Sequence, residues 1–297
     1  METEESIEIA RSLINKGYNA CGVYYDVKNK SASHFIVDNI EDYEKSIGSK
    51  YLQSYTPNGF LELNRNKKSV VFGSPCQIDS LRRYFKLKKQ EDKYILVDFF
   101  CHGIPSYYLW YKYIDYLSSK VDINDNTKFS WRDKKNGWHS FTFKVANSDK
   151  TYYSRLNSNN FFLNLFLGNF CLNECCYSCK FRLDKSSADI RIGDLWGKKY
   201  SNNPDGVSGI LVLTKKGLNI INDLNENCTI QPEDLSIVWE GQMKKSYPIP
   251  AIRTKLISKL KGNKSLNIIY FCCAYKMWIK NLIPGSIKLI LKKLIKH

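Results

Sequence analysis

The sequence predicts an α/β fold, and three observations carry that prediction. Residues 5–16 space Ile7, Ile9, Ala10, Leu13 and Ile14 as one apolar helical face, and Cys21-Gly22-Val23-Tyr24-Tyr25 follows as a strand. Ser69-Val70-Val71-Phe72 is a short β-branched run halted by Gly73-Ser74-Pro75-Cys76, after which Ile78, Leu81, Phe85 and Leu87 fall at helical spacing. Residues 94–100 form a second buried-type strand, halted by Cys101-His102-Gly103-Ile104-Pro105. A strand, roughly 10–15 residues of helix and another strand make a βαβ unit, which favours a parallel pair.

The remaining elements follow in order. The stretch after Tyr107 is rich in aromatics and turns polar through residues 122–128; residues 129–138 and 140–145 read as loop plus strand. Residues 209–214 are the last clear strand, followed by a Lys215-Lys216-Gly217 turn. No internal repeat or low-complexity tract interrupts the chain. The expected organisation is a small N-terminal α/β domain over residues 1–88, a larger mixed α/β domain over 89–240 and a C-terminal helical basic tail over 241–297.

With 43% hydrophobic residues, the 297-residue chain has a globular composition, which excludes intrinsic disorder. Its 45 Lys+Arg and 29 Asp+Glu give a formal charge of +16. Residues 241–297 hold 13 Lys+Arg and no Asp or Glu, which leaves +3 on residues 1–240. A nucleic-acid protein spreads basic residues over its docking face, so this nearly neutral body argues against nucleic acid as a partner. The acidic start Met1-Glu2-Thr3-Glu4-Glu5 lacks the basic and apolar regions of a secretory signal and predicts a cytoplasmic protein. In that reducing compartment ten cysteines point to metal or redox chemistry rather than to disulfides.

In the tail, Ile287, Ile290, Leu291, Leu294 and Ile295 share one helical face and Lys288, Lys292, Lys293 and Lys296 another. Such a helix suits an anionic membrane surface, placing the protein peripherally on the inner face of the membrane. The competing reading docks the tail on the protein's own body. Residues 266–283 are apolar but include Lys276 and Lys280, each costing roughly 2.5–3.5 kcal/mol at a bilayer centre, which argues against spanning.

Ligands of open α/β sheets bind beyond the carboxyl ends of strands, and Cys76 and Cys101 both fall there, on one rim. Cys176 and Cys179 form a C-x-x-C pair whose sulfurs can converge on one metal or cluster from a single turn. Together these four supply the thiolates of a 4Fe-4S cluster or a zinc site; alone, Cys76 and Cys101 read equally as small buried hydrophobes. For Cys21, Cys228, Cys272 and Cys273 the buried-hydrophobe reading prevails.

His102 either donates to a cluster sulfur, a flavin or a substrate, or is satisfied by local backbone. Ser49, Lys50 and Gln53 are candidates for a phosphate or a flavin ring, because a Gly-Ser-Lys turn supplies backbone donors and a cation. Arg132, Asp133 and Lys134 read either as a clamp for an anionic ligand or as a solvated charge run. Asp194 reads as a buried hydrogen-bonding residue that fixes its loop, and Trp138 and Trp196 as core aromatics or flavin-stacking rings.

Six motifs now stand in order. They are Gly48-Ser49-Lys50-Tyr51-Leu52-Gln53-Ser54, Gly73-Ser74-Pro75-Cys76-Gln77-Ile78, Cys101-His102-Gly103-Ile104-Pro105-Ser106, Arg132-Asp133-Lys134 with Gly137-Trp138, Cys176-Tyr177-x-Cys179-Lys180-Phe181, and Asp189-x-x-Ile192-Gly193-Asp194-Leu195-Trp196-Gly197. Over roughly residues 5–220 the chain resembles the beta-subunit family of coenzyme F420 hydrogenase/dehydrogenase, and within it the bacterial type associated with surface-polysaccharide genes.

The resemblance implies an iron–sulfur flavoprotein oxidoreductase in which FAD passes electrons between a 4Fe-4S cluster and a deazaflavin-like or other small-molecule partner. It makes Cys76, Cys101, Cys176 and Cys179 the cluster ligands and Cys175 a spare. Ser49, Lys50, Gln53, Ser74, Gln77, His102, Gly103, Arg132 and Asp194 become the cofactor-binding set. Many members begin with a ferredoxin-like module and a Ser-Ser-Gly-Gly stretch; this chain begins with neither, so a separate protein such as a ferredoxin is expected to deliver electrons. The alternative is a non-redox or zinc-binding member acting in surface-polysaccharide biosynthesis.

Overall fold

A computed structural model describes residues 4–64, 67–224 and 228–282. Seven strands build its main sheet: β1 (Asn19–Asp26), β2 (Ser31–Val37), β3 (Ser54–Tyr55), β4 (Ser69–Phe72), β5 (Tyr94–Phe99), β9 (Ile190–Asp194) and β10 (Ser208–Val212). Their order is β10-β9-β5-β4-β1-β2-β3. The strands β9, β5, β4 and β1 run parallel; β10 pairs antiparallel to β9 and β2 antiparallel to β1, and β3 runs parallel to β2. A second, antiparallel sheet holds β6 (Lys128–Asp133), β7 (Thr142–Ala146) and β8 (Thr151–Arg155).

The helices are α1 (Glu4–Asn15), the single turns α2 (Ile40–Tyr43) and α3 (Pro57–Phe60), α4 (Pro75–Leu87), α5 (Tyr107–Ser118), α6 (Phe161–Leu167), α7 (Lys215–Leu224), the turn α8 (Leu235–Val238), α9 (Arg253–Lys261) and α10 (Leu266–Leu282). The expected βαβ unit is β4–α4–β5, in register with Val70 beside Ile95 and Phe72 beside Val97. Val70, Phe72, Ile95 and Val97 pack with α1 and α7, while the alternate residues Val71 and Leu96 pack with α4. Cover on both faces is why β4 and β5 are apolar at successive positions instead of alternating.

One local expectation is corrected. Lys215-Lys216-Gly217 is the first turn of α7, because Thr214 Oγ1 accepts from the Gly217 amide at 3.1 Å and caps the helix. Glycine is needed there for space: a Cβ would meet the Asp189 carbonyl oxygen at 2.3 Å.

The largest core joins the second sheet to α5, α6, α9 and α10. Leu256, Leu260, Leu266, Ile269 and Tyr270 are buried in it, so residues 253–274 dock on the protein's own body. The amphipathic stretch from Ile287 to Lys296 lies outside the described residues. Among the described residues no helix is long and apolar enough to cross a membrane.

Candidate functional site

Parallel strands β4, β5 and β9 end at one edge of the main sheet. Cys76 follows β4, Cys101 follows β5, and Asp194 closes β9. At the first crossing, the backbone N–H and hydroxyl of Ser74 both donate to Gln77 Oε1 at 2.9 Å, and Pro75 opens the 13-residue α4. Gln77 Nε2 donates onward to Ser54 Oγ at 3.0 Å. Cys76 therefore sits in the first helical turn, where free amides favour an anion, with Ser74 Oγ 3.3 Å from its sulfur.

The other thiols crowd against it. Burial, with the proximity of Cys176 and Cys76 adding to it, pushes Cys101 up to about 12. Cys176, in the short 3-10 turn Glu174–Ser178, is pushed up to about 11, chiefly by burial, with Cys175 and Cys179 adding to the rise. The Phe181 amide donates to Cys179 Sγ at 3.4 Å. Sulfurs that oppose one another's ionisation need a cationic group among them to become thiolates together, which fits a metal or an iron cluster.

Two residues hold the cysteine segments together. Buried Arg182 donates to the main-chain oxygens of Cys101, His102 and Cys176, the last at 3.1 Å, and to Ser246 Oγ at 3.4 Å. Gly103 has φ +138°, and a Cβ on it would lie 3.0 Å from Leu172 Cδ1 and 3.4 Å from Cys176 Cβ.

These segments surround a cavity of about 450 Å³. Cys76, Cys101 and Cys176 reach its wall, as does Cys175; Cys179 does not. Lys50, Gln53, Ser74, Gln77, Gly103 and Arg132 also line it, whereas Ser49 and Asp194 do not. The Lys50 ammonium is occupied by the carbonyls of Ser46 and Ile47, and Gln53 Oε1 accepts from Asn173 Nδ2 at 2.9 Å. Ser49 shares a hydrogen bond with Tyr51.

His102, on the wall, packs edge-on to Phe166 at 5.2 Å, and its buried Nε2 has no partner among the described residues. Burial, helped by the charge of Arg182, holds it down at about 4, so the ring is neutral. An orphaned nitrogen at a cavity wall suits an added ligand group. Among the described residues, no three of His, Cys, Asp and Glu meet closely enough to hold one metal ion; Cys76, Cys101 and Cys176 share the wall of one cavity.

Part of the cavity wall is aromatic and cationic, formed by Arg132, Phe141 and Trp196. The Arg132 guanidinium lies 4.1 Å from the Phe141 ring and 4.6 Å from that of Trp196. It donates to the Trp138 carbonyl at 2.8 Å and stands 3.8 Å from Asp194 Oδ2. Burial raises the Asp194 carboxyl, and Arg132 counters part of that rise. Trp138 stacks on Trp196 at 4.6 Å, so these two rings satisfy each other. Gly241, Gln242 and Met243 close the wall as a strap, with Gln242 Nε2 donating to the Asp194 carbonyl at 2.7 Å.

Residues 66–237 match the family defined by the C terminus of the coenzyme F420 hydrogenase/dehydrogenase beta subunit. The chain belongs to this family. The matched stretch runs from just before β4 to α8 and contains Cys76, Cys101, Cys176 and Cys179, so the resemblance read from the motifs is borne out. A chain of the F420-reducing [NiFe] hydrogenase complex from Methanosarcina barkeri, known from a xenon-derivatised structure, shares the fold. Its TM-score is 0.52 at 18% identity, over 75% of this chain and 72% of that chain. No curated protein sequence matches. The family match stops short of the 241–243 strap and of α9 and α10.

Arg182 and the strap are site residues that the sequence does not single out, and Cys175, expected to be a spare, also reaches the cavity. Arg182 has one local signal, a cation three residues after the C-x-x-C pair; the strap has none.

Proposed function

We propose that this protein is an iron–sulfur oxidoreductase that holds a 4Fe-4S cluster on Cys76, Cys101, Cys176 and Cys179 and a flavin, FAD, in the adjoining cavity. The observation that carries the reading is the meeting of the loops after β4 and β5 with the C-x-x-C turn at one cavity. A cluster takes each thiolate on a different iron and so suits ligands that do not converge on one point, whereas a lone zinc ion needs four donors at about 2.0–2.3 Å from one point. When bound, the cluster would supply one-electron storage and the flavin would link single-electron to two-electron chemistry.

The chain's own residues have separable tasks. The α4 N-terminus and Ser74 stabilise negative charge at Cys76, and Arg182 fixes the cysteine loops while offsetting that charge. Phe100, Ile104 and Phe166 exclude water from the cavity. Arg132, clamped between Phe141 and Trp196, orients an anionic or electron-rich part of the ligand. His102 offers its free Nε2 to whatever sits beside the cluster. In this reading electrons arrive from a separate ferredoxin-like protein and leave to a deazaflavin-like or other small molecule.

Anaerobic purification with iron, sulfide and flavin assays tests the reading. The expected result is about four irons and four sulfides per chain, a broad visible absorbance bleached by dithionite, and FAD released on denaturation. A colourless protein after reconstitution, or stoichiometric zinc without sulfide, would overturn it.

A further inference from the structure

Each of the four proposed ligand sulfurs has a hydrogen-bond donor from outside the cysteine set, and the four donors are not alike. The Gly103 amide serves Cys101 and the Ile104 amide serves Cys176. The Phe181 amide serves Cys179 at 3.4 Å. These three are main-chain groups, placed by the path of the backbone. At Cys76 the donor is a side chain, Ser74 Oγ, 3.3 Å from the sulfur.

Two acceptors compete for that hydroxyl. It has one proton, and both Cys76 Sγ and Gln77 Oε1 are in reach, the latter at 2.9 Å. Gln77 Oε1 does not depend on it, because the Ser74 backbone N–H reaches the same oxygen at 2.9 Å. Gln77 Nε2 is anchored on Ser54 Oγ at 3.0 Å, so the amide keeps its place when the hydroxyl turns away. Beside a neutral thiol, the amide oxygen is the better acceptor. Beside a thiolate the order reverses, because a charge-assisted hydrogen bond is about twice as strong as a neutral one. Ser74 is 6% exposed, which keeps water from replacing its hydroxyl, although Cys76 itself is exposed.

We propose that the Ser74 hydroxyl turns from Gln77 to the Cys76 sulfur when that sulfur ligates the cluster, and thereby raises the reduction potential of the cluster. The inference rests on the cluster assignment made above. Reduction adds one electron from the separate electron-transfer protein; no covalent bond forms or breaks, and the proton stays on Ser74 Oγ. The added negative charge spreads onto the ligand sulfurs, so a donor aimed at one of them stabilises the reduced state more than the oxidised one. Ser74 acts through Cys76, as a positioning residue, and unlike the three amides its contribution can be removed by substitution.

A dye-mediated redox titration of the full chain, read from the electron paramagnetic resonance signal of the reduced cluster, tests the proposal. Ser74→Gly removes the hydroxyl with little loss of helix capping, and Ser74→Thr keeps it. With iron and sulfide equal to wild type, Ser74→Gly is expected to lose about tenfold in electron affinity, a midpoint about 59 mV more negative for a one-electron couple. Ser74→Thr is expected to stay at the wild-type midpoint. An unchanged midpoint in Ser74→Gly would overturn the inference, as would an equal drop in Ser74→Thr, which would assign the effect to packing. Ser74→Ala repeats the measurement where Ser74→Gly does not load. Loss of the cluster from both would overturn the inference in favour of a role in holding iron. Wild type without iron and sulfide after reconstitution would overturn the cluster assignment, and this inference with it.

Discussion

Arg191 and Asp98 form a bidentate pair between neighbouring strands β9 and β5, with Nε–Oδ1 and Nη2–Oδ2 both at 2.7 Å and neither side chain exposed. Ser186 Oγ donates to Asp98 at 2.6 Å, and Arg191 donates to the carbonyls of Leu183 and Lys185. The pair thereby pins the loop that leaves the C-x-x-C turn. Asp98→Ala strands a buried guanidinium and is expected to cost about 3–5 kcal/mol, read from urea denaturation. The double variant Asp98→Ala/Arg191→Met is expected to cost less than Asp98→Ala, because no lone charge stays buried.

Arg182→Lys keeps a positive charge but loses the planar fork that reaches three carbonyls. Its expected signature is several-fold faster removal of iron by a chelator, with the visible spectrum before chelation unchanged. A chelation rate equal to wild type would show that Arg182 does not hold the cysteine loops.

Gly103→Ala places a methyl group where the backbone has φ +138° and Leu172 and Cys176 stand close. The strain is expected to cost about 1–3 kcal/mol and to lower iron occupancy, since the methyl wedges the Cys101 loop from the Cys176 turn. Gly48→Ala, at a positive-φ turn with open space around it, is expected to cost stability alone.

Acid stability depends on His34. Its Nε2–H donates to the Phe72 carbonyl at 3.2 Å, and burial holds the ring down at about 4, against an ordinary 6.5. Below pH 6.5 the unfolded chain takes up a proton that the folded one refuses, so stability falls as pH drops from 6.5 towards 4 and is fully present above that window. The loss between pH 7 and 5 is about 2 kcal/mol from this group. His102, held down in the same way, adds to it. Urea midpoints of wild type and His34→Gln at the two pH values measure the difference, which should be smaller in the variant.

The β4–α4–β5 unit was legible because burial on both strand faces writes uninterrupted apolar runs, and Gly-Ser-Pro-Cys and Cys-His-Gly-Ile-Pro punctuate them. Its parallel topology puts Cys76 and Cys101, each just past a strand's carboxyl end, on one rim. Strand β8 left no such trace: Thr151, Tyr152 and Tyr153 are exposed or half-buried, and only Ser154 is buried, so no apolar alternation marks it. Arg182 looks like any surface cation until the Cys101 and Cys176 carbonyls come from two other segments to meet it. The strap at Gln242 reaches Asp194 across 48 residues and carries no local pattern. Long-range pairing of polar groups is the part of a site that periodicity and spacing do not encode.

The most direct test of the central claim is iron and acid-labile sulfide content, measured anaerobically after reconstitution, across single alanine variants of the cysteines. The account predicts full loading in wild type and in Cys21→Ala and Cys175→Ala, and loss of the cluster in Cys76→Ala, Cys101→Ala, Cys176→Ala and Cys179→Ala. Iron and sulfide that persist in Cys76→Ala or Cys101→Ala, or that are missing from wild type, would contradict it.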